Sequence, residues 1–193
     1  MSNPYAGPAG ELRLENLRRY LEHVLALGPS AVVIGEAPGY RGAAVTGVPL
    51  TTRTMLASDL GRWRLFASRG FHTGDVLGAP MTELTATVVW RAAMQCLHRP
   101  PLTWNAFPFH PHPARDTAAN RSLAAADLAE GADYLRAFLA LAPTTPVIAM
   151  GRQAAHALAV LDVVPIASLR HPSHGGAFLF TSGLKAAARL LPA

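Results

Sequence analysis

The chain has 193 residues, half of them apolar, which suits one domain with a full core and argues against disorder over most of its length. No apolar run approaches the ~18 residues of a membrane span, and the first ten residues lack a basic start followed by an apolar block, so a cytoplasmic protein is expected. Formal charge is +5, carried almost entirely by arginine with Lys185 as the only lysine, and Cys96 is the only cysteine. That excludes an internal disulfide and any four-cysteine metal site, and the basic excess favours a polyanionic partner.

In chain order, Leu14, Leu17, Leu21 and Leu25 recur at helical spacing between charged residues and predict an amphipathic helix. Pro29 and Ser30 end it, and the apolar run Ala31 to Ile34, closed by Gly35, predicts a buried parallel strand. Glu36 to Thr52, rich in Gly, Pro and Thr, is expected to be loop. A helix is predicted from Thr82 or Glu83 to about Leu97, stopped by Pro100 and Pro101, followed by a strand over Leu102 to Asn105. Phe107 to Pro113 is expected to be irregular. A long helix is predicted from about Ala118 to Leu141, with Ala124, Leu128, Ala132, Leu135 and Leu139 on its apolar stripe. Pro146 to Met150 predicts another buried strand, with Gly151 opening a helix to Leu161. Val163 to Leu169 predicts a last strand, and Leu184 to Leu191 a closing helix.

Strands alternating with helices predict an α/β fold, an open and mostly parallel sheet covered on both faces, over residues 1–193 as a single domain. Ligands in such sheets bind beyond the carboxyl ends of the strands. Three predicted strands end in polar or Gly-rich segments: Gly35-Glu36-Ala37-Pro38-Gly39, Asn105-Ala106-Phe107-Pro108 and His171-Pro172-Ser173. Parallel strands would bring all three to one rim.

The side chains there have chemistry suited to a flipped nucleotide. The Asn105 amide offers one donor and one acceptor, enough to read a base edge, or to cap the turn before Phe107. His171 suits a donor to developing negative charge, or a loop-fixing hydrogen bond. Glu36 is the only acid in the first segment, fit to orient water or face a sugar cation, or to accept from nearby amides. Tyr40, Phe107 or Phe109 would stack on a base or pack in the core. His174, Gly175 and Gly176 would let backbone approach DNA closely. Arg41, Arg53, Arg62, Arg64 and Arg69 would line its path or stand solvated.

Gly35-Glu36-Ala37-Pro38-Gly39 resembles the first motif of the family-four, thermophile-type uracil-DNA glycosylases, and Gly47-Val48-Pro49-Leu50 resembles the Gly-x-Pro-Phe that follows it. Asn105 stands where that family has its base-reading asparagine, and His171-Pro172-Ser173 matches the superfamily's second motif. The resemblance implies a three-layer α/β/α sandwich with a central four-stranded sheet. It also implies a monofunctional glycosylase that removes uracil or another deaminated base from DNA, leaves an abasic site and needs no metal or other cofactor. Glu36 and His171 are then the catalytic candidates. Asn105, Tyr40, Phe107, Gly35 and Ala37 are candidates for the base pocket, and Ser173, His174, Gly175, Gly176 and Arg41 for DNA contact. A monomer is expected.

The chain departs from the family in several places. Cys96 alone cannot hold the iron–sulfur cluster of the family-four enzymes. Tyr40-Arg41-Gly42-Ala43 replaces their acidic cluster, Ala37 replaces the water-activating aspartate of the classical enzymes, and Leu50 replaces the stacking phenylalanine. A superfamily member that binds DNA or damaged bases without catalysis is therefore a second reading. A Rossmann-like nucleotide enzyme is disfavoured by the missing Gly-x-Gly-x-x-Gly and Walker lysine. A metal hydrolase built on His98, His110 and His112 is disfavoured by Pro111, Pro113 and the lack of an adjacent carboxylate.

Overall fold

The computed structural model describes residues 1–73 and 83–192. Four strands, β1 (Val32–Gly35), β2 (Leu102–Asn105), β3 (Val147–Met150) and β4 (Ala167–Leu169), form one sheet in the order β2-β1-β3-β4. Every neighbouring pair is parallel, and Gly35 sits in register with Asn105. β1 and β2 are buried along their whole length, as near-continuous apolar strands of a covered parallel sheet are.

Side-chain alternation along β2 assigns the two helical layers. Trp104 stacks on Phe138 of α5 (Ala125–Leu139) at 4.7 Å. On the opposite face, Thr103 exchanges hydrogen bonds with the Tyr20 hydroxyl of α1 (Gly10–Ala26), its own hydroxyl lying 2.8 Å from that oxygen. Tyr20 in turn joins an aromatic group with Phe66, Phe71 and Trp90, the last on α4 (Leu84–Cys96). α7 (Ala177–Ala187) packs on α4, and α6 (Arg152–Val160) packs on α5. The result is the expected three-layer α/β/α sandwich with an all-parallel four-stranded centre.

Several element boundaries differ from the sequence expectation. The buried stripe of α1 is Leu17, Tyr20 and Val24 with the polar Asn16, while Leu14 is 54% exposed. Asn16 faces inward because its amide bridges the Thr46 and His72 carbonyls at 3.0 and 3.1 Å and accepts from the His72 amide. The supposed loop from Glu36 to Thr52 contains a helical turn, α2 (Ala43–Thr46), ended by Gly47 at φ 76°, and α3 (Arg53–Leu56) follows directly, with the Thr52 hydroxyl accepting from the Met55 amide. The long helix begins at Ala125, not near Ala118. Its start is set by Asp127, which accepts from the Ala124 amide at 2.7 Å and pairs with Arg121. Its buried stripe is Leu128, Gly131, Leu135 and Phe138, and Ala124 is exposed. β4 is only three residues long, because pairing starts at Ile166 after a turn with Asp162 at φ 56°. The last helix starts at Ala177, seven residues early; its first turn exposes Phe178 and Leu179 and so hides the apolar periodicity. Glu83 flanks α4 at its amino end, and Thr82 lies outside the described residues.

Candidate functional site

The carboxyl ends of β1, β2 and β3 and the segment after β4 surround a cleft of about 340 Å³. Gly35, Glu36 and Ala37 leave β1 into it. A side chain on Gly35 would place its Cβ 2.9 Å from Asn105 Oδ1 and 3.3 Å from Met150 Cε. Glycine there lets the Asn105 amide and the Met150 thioether close over the end of the sheet. Asn105 is only 3% exposed, yet its side chain lines the cleft.

Glu36 is partly buried at one wall. Burial pushes its carboxyl above the usual range, and the Leu123 amide pulls weakly the other way. The strand-end loop is held from below by His110, whose ring lies between the Pro38 carbonyl at 2.9 Å and the Thr117 carbonyl at 3.1 Å. Both ring nitrogens of His110 thus face backbone carbonyls rather than the cleft, and His112 Nδ1 lies 2.8 Å from the Pro113 carbonyl.

His171 sits where β4 turns toward α7. The Ser173 amide donates to its Nδ1 at 3.2 Å, and the Ser173 hydroxyl lies 2.7 Å from the same nitrogen. A nitrogen that accepts from an N–H carries no proton, so the neutral ring holds its proton on Nε2. Burial first, then the charges of Arg170 and His174, lower the His171 pKa and favour that neutral form. The turn is tight: a Cβ on Gly176 would lie 2.0 Å from the His171 carbonyl. Ser173 and His174 line the cleft, His174 adopts φ 50°, and Gly175 has open space around it.

The structure therefore brings Glu36, Ala37, Asn105, His171, Ser173 and His174 together around one cleft, with Gly35 at its floor. It does not bring Phe107 there. That ring is fully buried and packs edge-on against Phe109 at 5.4 Å. Tyr40 and Arg41 lie beside the cleft, with the Arg41 guanidinium over the Tyr40 ring and the Tyr40 amide donating to Asn120 Oδ1. Arg53 is buried and donates to the Thr73 carbonyl, whereas Arg62, Arg64 and Arg69 lie toward the other end of the sheet.

Other lining residues were not singled out from sequence: Glu83, Asn120, Arg121 and Met150. Met150 ends β3, so the strand-end rule that picked out the other segments would have found it. Arg121 is fixed by two hydrogen bonds to Asp127, at 2.6 and 2.8 Å. Burial raises the Glu83 pKa, with the Thr85 and Ala86 groups opposing. Leu50 fills part of the wall in a left-handed conformation, φ 53°. The Trp90 indole donates to its carbonyl at 2.7 Å and holds it there.

A cleft with a buried amide, a neutral Nε2–H donor and a desolvated carboxylate can read an amide-like edge, stabilise a leaving anion and activate water. The family model described as "Uracil DNA glycosylase superfamily" matches residues 23–181, a span that includes every one of these groups. No curated protein matches the chain.

Proposed function

The chain belongs to the uracil DNA glycosylase superfamily, and on that premise we propose that it hydrolyses the N-glycosidic bond of uracil or another deaminated base in DNA. The product is an abasic site. The resemblance of Gly35-Glu36-Ala37-Pro38-Gly39 to the family-four motif supports reading it as a form of that family without the iron–sulfur cysteines.

The observation that carries this reading is the Ser173–His171 hydrogen bond, which leaves Nε2–H as the free donor of a neutral ring beside Asn105 and Glu36. The target nucleotide leaves the stack and its base enters the cleft. The Asn105 amide pairs with a carbonyl and the adjacent imino N–H. As the C1′–N bond breaks, its electron pair goes to the base. The Nε2–H of His171 donates to the base carbonyl oxygen on which that charge collects. Glu36 accepts a proton from water as the water oxygen bonds to C1′, and its raised pKa makes it a stronger base than an exposed glutamate. Leu50 and Met150 supply the apolar contacts that an aromatic ring would otherwise make.

One observation favours a second reading, a member that recognises DNA or a damaged base without cleaving it: alanine stands at position 37, where the classical enzymes carry their water-activating acid. Cleavage of oligonucleotides containing uracil, hypoxanthine or xanthine, followed by alkali, decides between them. Product formed by the wild type and lost in both Asn105→Ala and His171→Ala supports the glycosylase. Retained DNA binding with no product on any of the three supports the binding protein.

A further inference from the structure

A second cationic surface lies away from the cleft, around the amino-terminal ends of β1 and β2. Arg62 donates to the Leu97 carbonyl and lies over the Trp63 ring, whose indole donates to the His98 carbonyl at 3.1 Å. Arg69 donates to the Arg64 carbonyl, and Arg19 donates to the Arg69 carbonyl at 3.3 Å. Arg99 follows His98 in the chain, with its backbone fixed by Ser30, whose hydroxyl donates to the Arg99 carbonyl at 2.9 Å. Arg62, Arg64, Arg69 and Arg99 are all exposed. Among the described residues, the carboxylates paired with this group are Glu15, with Arg19, and Asp59, 3.5 Å from Arg64.

The Arg62 and Arg69 guanidiniums each donate to a main-chain carbonyl yet stay exposed, and Arg99 is exposed beside them, an arrangement suited to phosphates along a nucleic-acid backbone rather than to base edges. The register Val32↔Leu102 to Gly35↔Asn105 places the patch and the cleft at opposite ends of the same two strands. A duplex whose nucleotide enters the cleft lies across the carboxyl-terminal rim. To reach the patch as well it would have to fold back around the domain. DNA stays nearly straight over ~150 base pairs, and even a 40–90° bend costs on the order of 1–6 kcal/mol.

We propose that this basal arginine patch binds the phosphate backbone of a second DNA segment, so that one protein molecule bridges two duplexes and passes between them while searching. The proposal rests on DNA being the partner, but not on base cleavage.

The test uses the full chain and two undamaged duplexes, one immobilised and one fluorescent, with capture of the second read as bridging. The variant is Arg64→Gln/Arg69→Gln/Arg99→Gln, which spares Arg62 and its contacts with Leu97 and Trp63. The expected result is at least tenfold weaker capture by the variant. The salt dependence of the second binding event should flatten by about three in log–log slope, near 0.9 per lost phosphate contact. Melting temperature and single-turnover cleavage of a short uracil duplex should match the wild type. Bridging by the variant at wild-type level overturns the proposal. So does bridging seen only where sedimentation shows self-association, or tighter capture of an RNA duplex than of DNA. A variant that cleaves the short duplex correspondingly more slowly also overturns it, because the arginines then belong to the path of the cleaved strand. Failure of the wild type to cleave any base, with bridging intact, removes the glycosylase reading and leaves this one standing.

Discussion

The Ser173 amide donates to Nδ1 of His171 across 3.2 Å, and this contact decides which ring nitrogen carries the proton. It aligns a neutral Nε2–H donor at the cleft without the imidazole having to gain a charge. Replacing His171 with alanine is expected to slow single-turnover cleavage by about 100- to 1,000-fold, the usual cost of losing one aligned oxyanion donor. Binding of uracil-containing DNA should change less than threefold. Ser173→Ala keeps the amide and loses only the hydroxyl, so a drop of under about tenfold is expected. A quench-flow rate and an anisotropy titration on each variant check both.

Gly35 and Asn105 predict a steric effect. Gly35→Ala would drive a methyl to 2.9 Å from Asn105 Oδ1. The amide must then leave its reading position, and cleavage should fall by at least tenfold while far-UV circular dichroism is unchanged. Activity equal to wild type would mean that Asn105 does not read the base.

With Glu36 as the proposed base, its partly buried carboxyl is expected to set an acid limb. Because desolvation raises its pKa, the base is neutralised, and activity lost, at a higher pH on acidification than for an ordinary glutamate. The lowered pKa of His171 keeps its ring neutral to a lower pH than an ordinary histidine. Glu36→Gln should be slow and should lack this limb, as a pH–rate profile will show. The same shift has a consequence for stability. A carboxyl with a raised folded-state pKa favours the fold below its unfolded pKa and loses that contribution as pH rises through the folded value. At pH 7, Glu36→Gln is therefore expected to melt higher than wild type, with the gain shrinking as pH falls.

The Arg121–Asp127 pair couples the cleft wall to a helix start. Asp127 accepts two bonds from Arg121 and one from the Ala124 amide. Asp127→Ala should cost about 1–3 kcal/mol in urea unfolding, by removing the acceptor at the start of α5 and a charge-assisted pair. Arg121 holds the Asp127 pKa down, so this contribution is present above the ordinary aspartate pKa and lost as pH falls through the folded one.

Phe178 and Leu179, 78% and 57% exposed in the first turn of α7, lie just past Gly175, Gly176 and Ala177. DNA-binding proteins insert exposed apolar side chains between base steps, and a flipped nucleotide leaves such a gap in a duplex. Phe178→Ala is expected to slow cleavage of duplex by about tenfold and to leave single strands within twofold, since only the duplex has a gap to fill.

By itself the sequence determined the layer order, the four strands and the segments that leave them. Apolar runs such as Val32-Val33-Ile34 and the Gly and Pro that follow them report burial and chain direction locally, through one or two residues each. Parallel strands implied that the segments after Gly35 and Asn105 share one rim, while the strand order and the Gly35–Asn105 register came from the structure. Only the tertiary structure decided which aromatics reach the cleft. Phe107 and Leu50 are both buried, but Phe107 packs away from the cleft against Phe109, whereas the Trp90 hydrogen bond holds Leu50 in the cleft wall. It likewise decided that Glu83, Asn120 and Arg121 join the wall, and that Arg62, Arg64 and Arg69 stand away from it. Those placements depend on contacts between residues far apart in the chain, such as Arg62 with Leu97 and Tyr40 with Asn120, 35 and 80 positions apart, and local composition carries no record of them.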